Sequence, residues 1–217
     1  MQRPSQLKIH PVQNQFQTTC HHFSQNFRLP LSNQSLGSEA EAVVKQLLVD
    51  ISDATRLDKI FSIGEVEGYP DLLVEGDHSK HAYLLEVKND FRRKKPDGSF
   101  SYGDAKDVEQ ICDKNWTSNS FPLRGTGRTV REGASTRWQV DYITTHKGIV
   151  KALVGTFPSY EETAWNKLLS EFGNNLIWSG HGIIPPSHVT PRDKACQDKT
   201  LRRLRLELKQ FCLRNGP

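Results

Sequence analysis

Pro70-Asp71 is followed, with fourteen residues intervening, by Glu86-Val87-Lys88. Residues 69–75 and 82–88 are short runs rich in Leu, Val and Tyr, and Gly76-Asp77-His78-Ser79 supplies a polar turn between them. That pattern predicts a β-hairpin. Side chains alternate faces along a strand, so Glu86 and Lys88 project to one side and Leu85 and Val87 to the other. An acid and a lysine on one strand, beside a neighbouring strand that carries Asp71, are equipped to hold a divalent cation with an ammonium group next to it. The chemistry available to such a set is hydrolysis of a phosphodiester by metal-activated water. A hard cation such as Mg²⁺ takes oxygen ligands and keeps several waters, so the two carboxylates of Asp71 and Glu86 suffice as protein anchors. Lys88 would orient the water and meet the attacked phosphate, and a metal-depressed pKa would let it accept a proton. Arginine in its place would keep the charge without that acid–base option.

The run Leu84-Leu85-Glu86-Val87 is mostly apolar and reads as a buried central strand rather than a wet edge. Ser38-Glu39-Ala40-Glu41 has the form of a capping box, and Ala40, Val43, Val44, Leu47, Leu48 and Ile51 follow at helical spacing. Residues 59–63 read as a first strand, with Gly64 and Gly68 at the turn beyond it, and 104–116 as a second helix with Ala105, Val108, Ile111 and Cys112 inward. Residues 117–135, with Gly125, Gly127 and Gly133 among Arg124, Arg128 and Arg131, read as a long mobile loop. Further on, 149–154 is the better of one or two strands within 138–157. Ser159 and Glu162 form a second capping box, opening a helix that stops at Gly173, and 175–178 is a late short strand. Leu201, Leu204, Leu208 and Phe211 stripe a C-terminal helix whose other faces are basic. The expected class is α/β (α+β), a central mixed β-sheet flanked by helices.

Asp71, Glu86 and Lys88, on these elements, resemble the signature of the PD-(D/E)XK nuclease superfamily, over a core of residues 38–116. The resemblance implies a restriction-endonuclease-like fold with Mg²⁺ as cofactor, Mn²⁺ able to substitute, and the backbone carbonyl of Val87 as a third metal ligand. It also implies that an acid on the preceding helix completes the site, which makes Glu39 and Glu41 secondary candidates. Capping accounts for Glu41 on its own terms, and first-turn acids such as Glu39 are favoured by the helix dipole. Gln110 resembles the glutamine of exonuclease-like relatives, but the accompanying tyrosine is missing. The expected activity is type II restriction-like cleavage of DNA by a homodimer. The alternatives are a same-fold nuclease acting on RNA, in the manner of cap-snatching enzymes, or on branched DNA, and a nucleic-acid-binding module without turnover.

The net charge of +4 and pI of about 8.9 are compatible with a polyanionic partner without demanding one. Arg92, Arg93, Lys94 and Lys95 begin four residues past Lys88 and, with Arg124, Arg128 and Arg131, are the expected nucleic-acid contacts. The ordinary reading of such charges is a solvated loop. A mean hydropathy of −0.61 and a length of 217 residues suit one domain, taken as 37–217, behind a flexible arm of residues 1–36. Cys20, Cys112, Cys196 and Cys212 form no CxxC pair, so reduced thiols inside a cell are expected. Cys20-His21-His22 lacks partner ligands at finger-like spacing, and His146 and His181 are isolated. No signal-like or bilayer-length apolar stretch is present, so no membrane is expected.

Overall fold

The computed structural model describes residues 33–64, 68–89, 105–155, 162–178 and 191–215. Most of the expected arm, Cys20 to His22, the basic quartet Arg92, Arg93, Lys94 and Lys95, the cap Ser159 and His181 lie outside the described residues.

Helix α1 (Asn33–Asp50) leads through a four-residue helix, α2 (Ser52–Thr55), to strand β1 (Lys59–Ser62). Strands β2 (Leu72–Glu75) and β3 (His81–Lys88) form the hairpin, and α3 (Ala105–Cys112) follows. Next come β4 (Ser120–Pro122), β5 (Arg128–Glu132), β6 (Ser135–Gln139), β7 (Tyr142–Thr144) and β8 (Gly148–Gly155). Helix α4 (Glu162–Phe172), a 3₁₀ turn, β9 (Leu176–Trp178) and α5 (Pro191–Arg214) complete the described chain. The architecture is mixed α/β. A five-stranded sheet runs in the order β1-β2-β3-β8-β9, antiparallel from β1 to β3 and parallel from β3 through β8 to β9.

Strand β3 is central because its sequence allows burial on both faces: all six residues from Ala82 to Val87 are buried. On one face Tyr83, Leu85 and Val87 pack with Leu72, Val74, Ala152 and Val154 against Val44 and Leu48 of α1, Ile51 just beyond it, and Leu204, Leu208 and Phe211 of α5. On the other, Ala82, Leu84, Leu73 and Leu153 meet Val108 and Ile111 of α3, Phe121, and Ala164, Leu168 and Phe172 of α4. The sheet is thus filled on both sides, and each fully buried Leu or Phe contributes about 1.5–3 kcal/mol. The C-terminal helix is packed as its stripe implies. Phe211 meets the Tyr83 ring edge-to-face at 5.3 Å, and the Tyr83 hydroxyl donates to the Asn215 carbonyl at 2.7 Å.

Three expectations change. Helix α1 already includes Asn33, so Ser38 and Glu41 are interior helical residues and not its capping box. The second helix ends at Cys112, short of Trp116. The stretch expected as a mobile loop over 117–135 instead contains β4, which pairs with β7, and most of the β5–β6 hairpin. Three glycines amid arginines read as loop, but two of them make the turns: Gly125 and Gly133 adopt positive φ beside short strands. Among the described residues no helix is long and apolar enough to cross a membrane.

Phe211→Ala tests the docking of α5. It is expected to cost about 3–5 kcal/mol, seen as a lower urea midpoint at unchanged slope. A loss under about 1 kcal/mol would take α5 out of the core.

Candidate active site

Asp71 stands one residue before β2, where its backbone is already part of the sheet: its amide donates to Leu85 O at 3.0 Å and its carbonyl accepts from Ile63 N at 2.9 Å. The turn that delivers it requires glycine at position 64. Gly64 has φ +85°, and a Cβ there would lie 2.7 Å from the Pro70 carbonyl oxygen. The β2–β3 register ends with Leu72 opposite Leu85, and Asp71 breaks it: its amide also reaches Leu85 O, while its carboxylate takes the Val87 amide, which brings it beside Glu86. The two acids that the sequence separates by fourteen residues are therefore neighbours.

The side chain of Asp71 is held at both oxygens. Val87 N–H donates to Oδ2 at 2.7 Å, and Arg124 Nη2 lies 3.5 Å from Oδ1. The N–H and C=O of one strand residue leave on the same edge, so the Val87 carbonyl faces the β2 side as well. Arg124 also pairs through Nη1 with Glu41 Oε2, so one guanidinium bridges the acid of α1 and the acid just ahead of β2. Glu41 and not Glu39 is the helix acid at this site. Two residues of helix turn through about 200°, so the two point to opposite sides of α1.

Glu86 is the buried centre, with a side chain that is 0% exposed. Lys88 Nζ lies 2.7 Å from Oε1 and Lys114 Nζ 2.5 Å from Oε2. Neither oxygen has a backbone or hydroxyl donor, so the two ammonium groups alone compensate the carboxylate. Burial, followed by the Asp71 charge, pushes its pKa up to about 7 against the pull of the two lysines. The same pair of causes, in the same order, raises Glu41, against the pull of Arg124. Lys88 is 35% exposed and Lys114 17%, so Lys88 is the ammonium with more access to solvent.

Lys114 was not legible as a site residue. It lies past the end of α3 and donates to the Tyr69 carbonyl at 3.0 Å, while the next residue, Asn115, donates through N to Gly68 O at 2.7 Å. These contacts tie the helix exit to the turn before Asp71, a long-range closure that no local spacing signals. Arg124, expected among phosphate contacts, sits within the acid cluster. Arg128 and Arg131 lie on the exposed β5–β6 hairpin instead. Gln110 is on an exposed face of α3 and His146 is exposed.

As placed, the acids Glu41, Asp71 and Glu86 are matched by Arg124, Lys88 and Lys114. Among the described residues no three His, Cys, Asp or Glu side chains stand close enough to share a metal ion. The donor set nevertheless suits a hard cation: every acid offers carboxylate oxygen, and the two Glu86 oxygens have no backbone or hydroxyl donor. Asp71 and Glu86, with the Val87 carbonyl, are the residues that would hold it, with Glu41 behind Arg124.

The raised Glu86 pKa fixes the sign of a pH effect. Below pH 4.5 the group is protonated in both folded and unfolded chains and adds nothing. From 4.5 to about 7 the unfolded chain releases a proton that the native chain keeps, so stability falls as pH rises. Above that range a constant penalty of roughly 3 kcal/mol remains. Thermal melts between pH 5 and 8 are expected to show this decline, and Glu86→Gln to flatten it. An equal slope in the variant would mean that Glu86 is ionised in the native protein throughout. Compared with known proteins, the chain matches no family model, no curated protein and no solved structure, so the chemistry of the cluster is read from its own geometry.

Proposed function

We propose that this chain is a metal-dependent nuclease with a restriction-endonuclease-like core, cutting phosphodiester bonds in DNA. The observation that carries this reading is the Asp71 carboxylate held on the Val87 amide, next to Glu86 and close enough to act on its charge, with Lys88 at 2.7 Å from Glu86. The order of elements supports the fold part: a helix, three antiparallel strands and a helix, then, after the short strands β4 to β7, β8 running parallel to β3. The third acid, Glu41, coming from the helix before the sheet, adds to it.

Bound Mg²⁺ would lower the pKa of a water and offset charge on the attacked phosphate, and Mn²⁺ would serve the same oxygen donors. The protein's own residues do the rest. Asp71 is locked by the Val87 amide, so its carboxylate keeps one orientation. Glu86, walled off from water, lies in a region of low dielectric where its ionised form would hold a cation more strongly than a surface carboxylate does, once Lys88 and Lys114 give way. Lys88 carries its ammonium from Glu86 to the solvent side, where it meets a phosphate oxygen and positions the attacking water. Arg124 covers Glu41 and Asp71 and is placed to transfer its guanidinium to the incoming phosphate. Sequence-specific, restriction-type cleavage by a homodimer is the finer form of this proposal.

A second reading has its own support. The three acids are all paired with cations, as in a structural ion network, which suits a nucleic-acid-binding module without turnover. Turnover separates the two. Incubated with plasmid DNA, the protein is expected to nick it with Mg²⁺ or Mn²⁺ and not with EDTA, and to leave RNA intact. Asp71→Asn and Lys88→Ala are each expected to reduce cutting at least about 100-fold while DNA binding persists. Both variants cutting at the parent rate would end this assignment, and binding without nicking under any divalent ion would favour the module.

Metal binding gives an independent check. Mg²⁺ at ten times its Kd is expected to stabilise the parent by about 1.4 kcal/mol in thermal melts, and Asp71→Asn by none. Because the cation competes with a proton on Glu86, Mg²⁺ affinity is expected to rise from pH 6 to 8. An affinity that is flat over that range would separate Glu86 from the metal.

A further inference from the structure

The β5–β6 hairpin has no buried residue on either strand. Its register pairs Thr129 with Trp138 and Arg131 with Thr136 on one face, and Arg128 with Gln139 and Val130 with Arg137 on the other. A two-stranded ribbon with no packed face is marginal in water, so this one suits a partner. Its strands carry three arginines and a single acid, Glu132, which already pairs with Arg137 at 2.5 Å. The excess charge matches a polyanion.

Trp138 is 62% exposed, yet its indole does not hang free. It lies against the backbone of Gly127, where a Cβ would overlap its Cζ2, Cε2 and Nε1 atoms. Glycine is therefore what allows the ring to seat. Gly127 is the third residue after Arg124, at most about 11 Å of extended chain away. Arg124 touches Glu41 and Asp71, so the indole is seated on the segment that leads directly from the acid cluster.

An aromatic ring that is fixed at one edge and largely bare, with Arg131 on the same face of the hairpin, is a stacking platform for a nucleobase. A fully paired duplex keeps its base faces covered, and only an unpaired base offers one without unstacking cost. We propose that the β5–β6 hairpin is a DNA-holding arm in which Trp138 stacks on an unpaired base, directing the acid cluster to DNA that contains single-stranded segments. The inference takes its polyanion from the nuclease reading above.

The test is fluorescence anisotropy with the full chain in EDTA, where nothing is cut. The probes are labelled single-stranded DNA, single-stranded RNA of the same sequence, and blunt duplex DNA. Trp138→Ala is expected to weaken single-stranded DNA binding by roughly 10-fold or more, and duplex binding by less than about two-fold. Trp138→Phe keeps a ring and is expected to recover most of the loss. Gly127→Ala unseats the indole and is expected to reproduce much of it, with an unchanged thermal melt. Equal binding by parent and Trp138→Ala overturns the proposal, as does an equal loss on duplex or a loss confined to RNA. A Trp138→Ala effect on size-exclusion mass without an effect on DNA affinity also overturns it, by assigning the ring to contact between copies. Trp138-dependent binding by a protein that never cuts would instead remove the nuclease reading and leave the arm. Cutting that needs Lys88, with binding indifferent to Trp138, would remove the arm alone.

Discussion

A carboxylate completely withdrawn from water must be compensated, and the compensation of Glu86 organises this protein. It sits in the central strand of a sheet that is covered by helices on both faces. An unpaired buried charge is costly enough that the group would otherwise give up its proton equilibrium or unfold its surroundings. Two lysines reach it from different directions, Lys88 along the same strand and Lys114 from beyond α3. Lys114 also accepts a structural duty at Tyr69 O, so compensating the acid and closing the turn ahead of Asp71 are one act. The pKa of Glu86 remains raised in spite of both lysines because desolvation and the facing Asp71 outweigh them.

That balance leaves the cluster charge-matched but with two perturbed acids. Three acids and three cations neutralise one another, yet Glu86 has no backbone or hydroxyl donor and Glu41 is also held above its ordinary range. A network built only for stability would gain from exchange for apolar residues of similar volume. Here, instead, the strained charges converge where two strand ends, a helix and a loop arginine meet, and perturbed acids gathered at one place are a mark of functional sites. The same loop arginine, Arg124, roots the exposed hairpin, so among the described residues the ribbon without a packed face starts at the acids.

Much of this was legible from local pattern. The hairpin 69–88 followed from Leu-Val-Tyr alternation broken by a polar turn, and the separation of Glu86 and Lys88 from Leu85 and Val87 followed from strand period alone. The stripe of Leu204, Leu208 and Phe211 placed α5 in the core, as observed. Other readings failed for identifiable reasons. Ser38-x-x-Glu41 has the composition of a cap, but capping depends on where the helix begins, and α1 begins earlier. Freed of that role, Glu41 meets Arg124. Residues 117–135 resemble loop by composition because short exposed strands need no hydrophobic alternation; pairing with partners outside the window makes them strands.

Composition and period, then, determined the kinds of element and the faces on which residues lie, because both are properties of a few consecutive side chains. They put an aspartate and a Glu-x-Lys on adjacent strands, and an apolar seam beneath them. Which acids meet which cations was decided by the tertiary structure alone. Lys114 to Glu86 and Arg124 to Glu41 span 28 and 83 residues. Contacts of that range arise only when the helices close over the sheet and low dielectric makes each pairing obligatory.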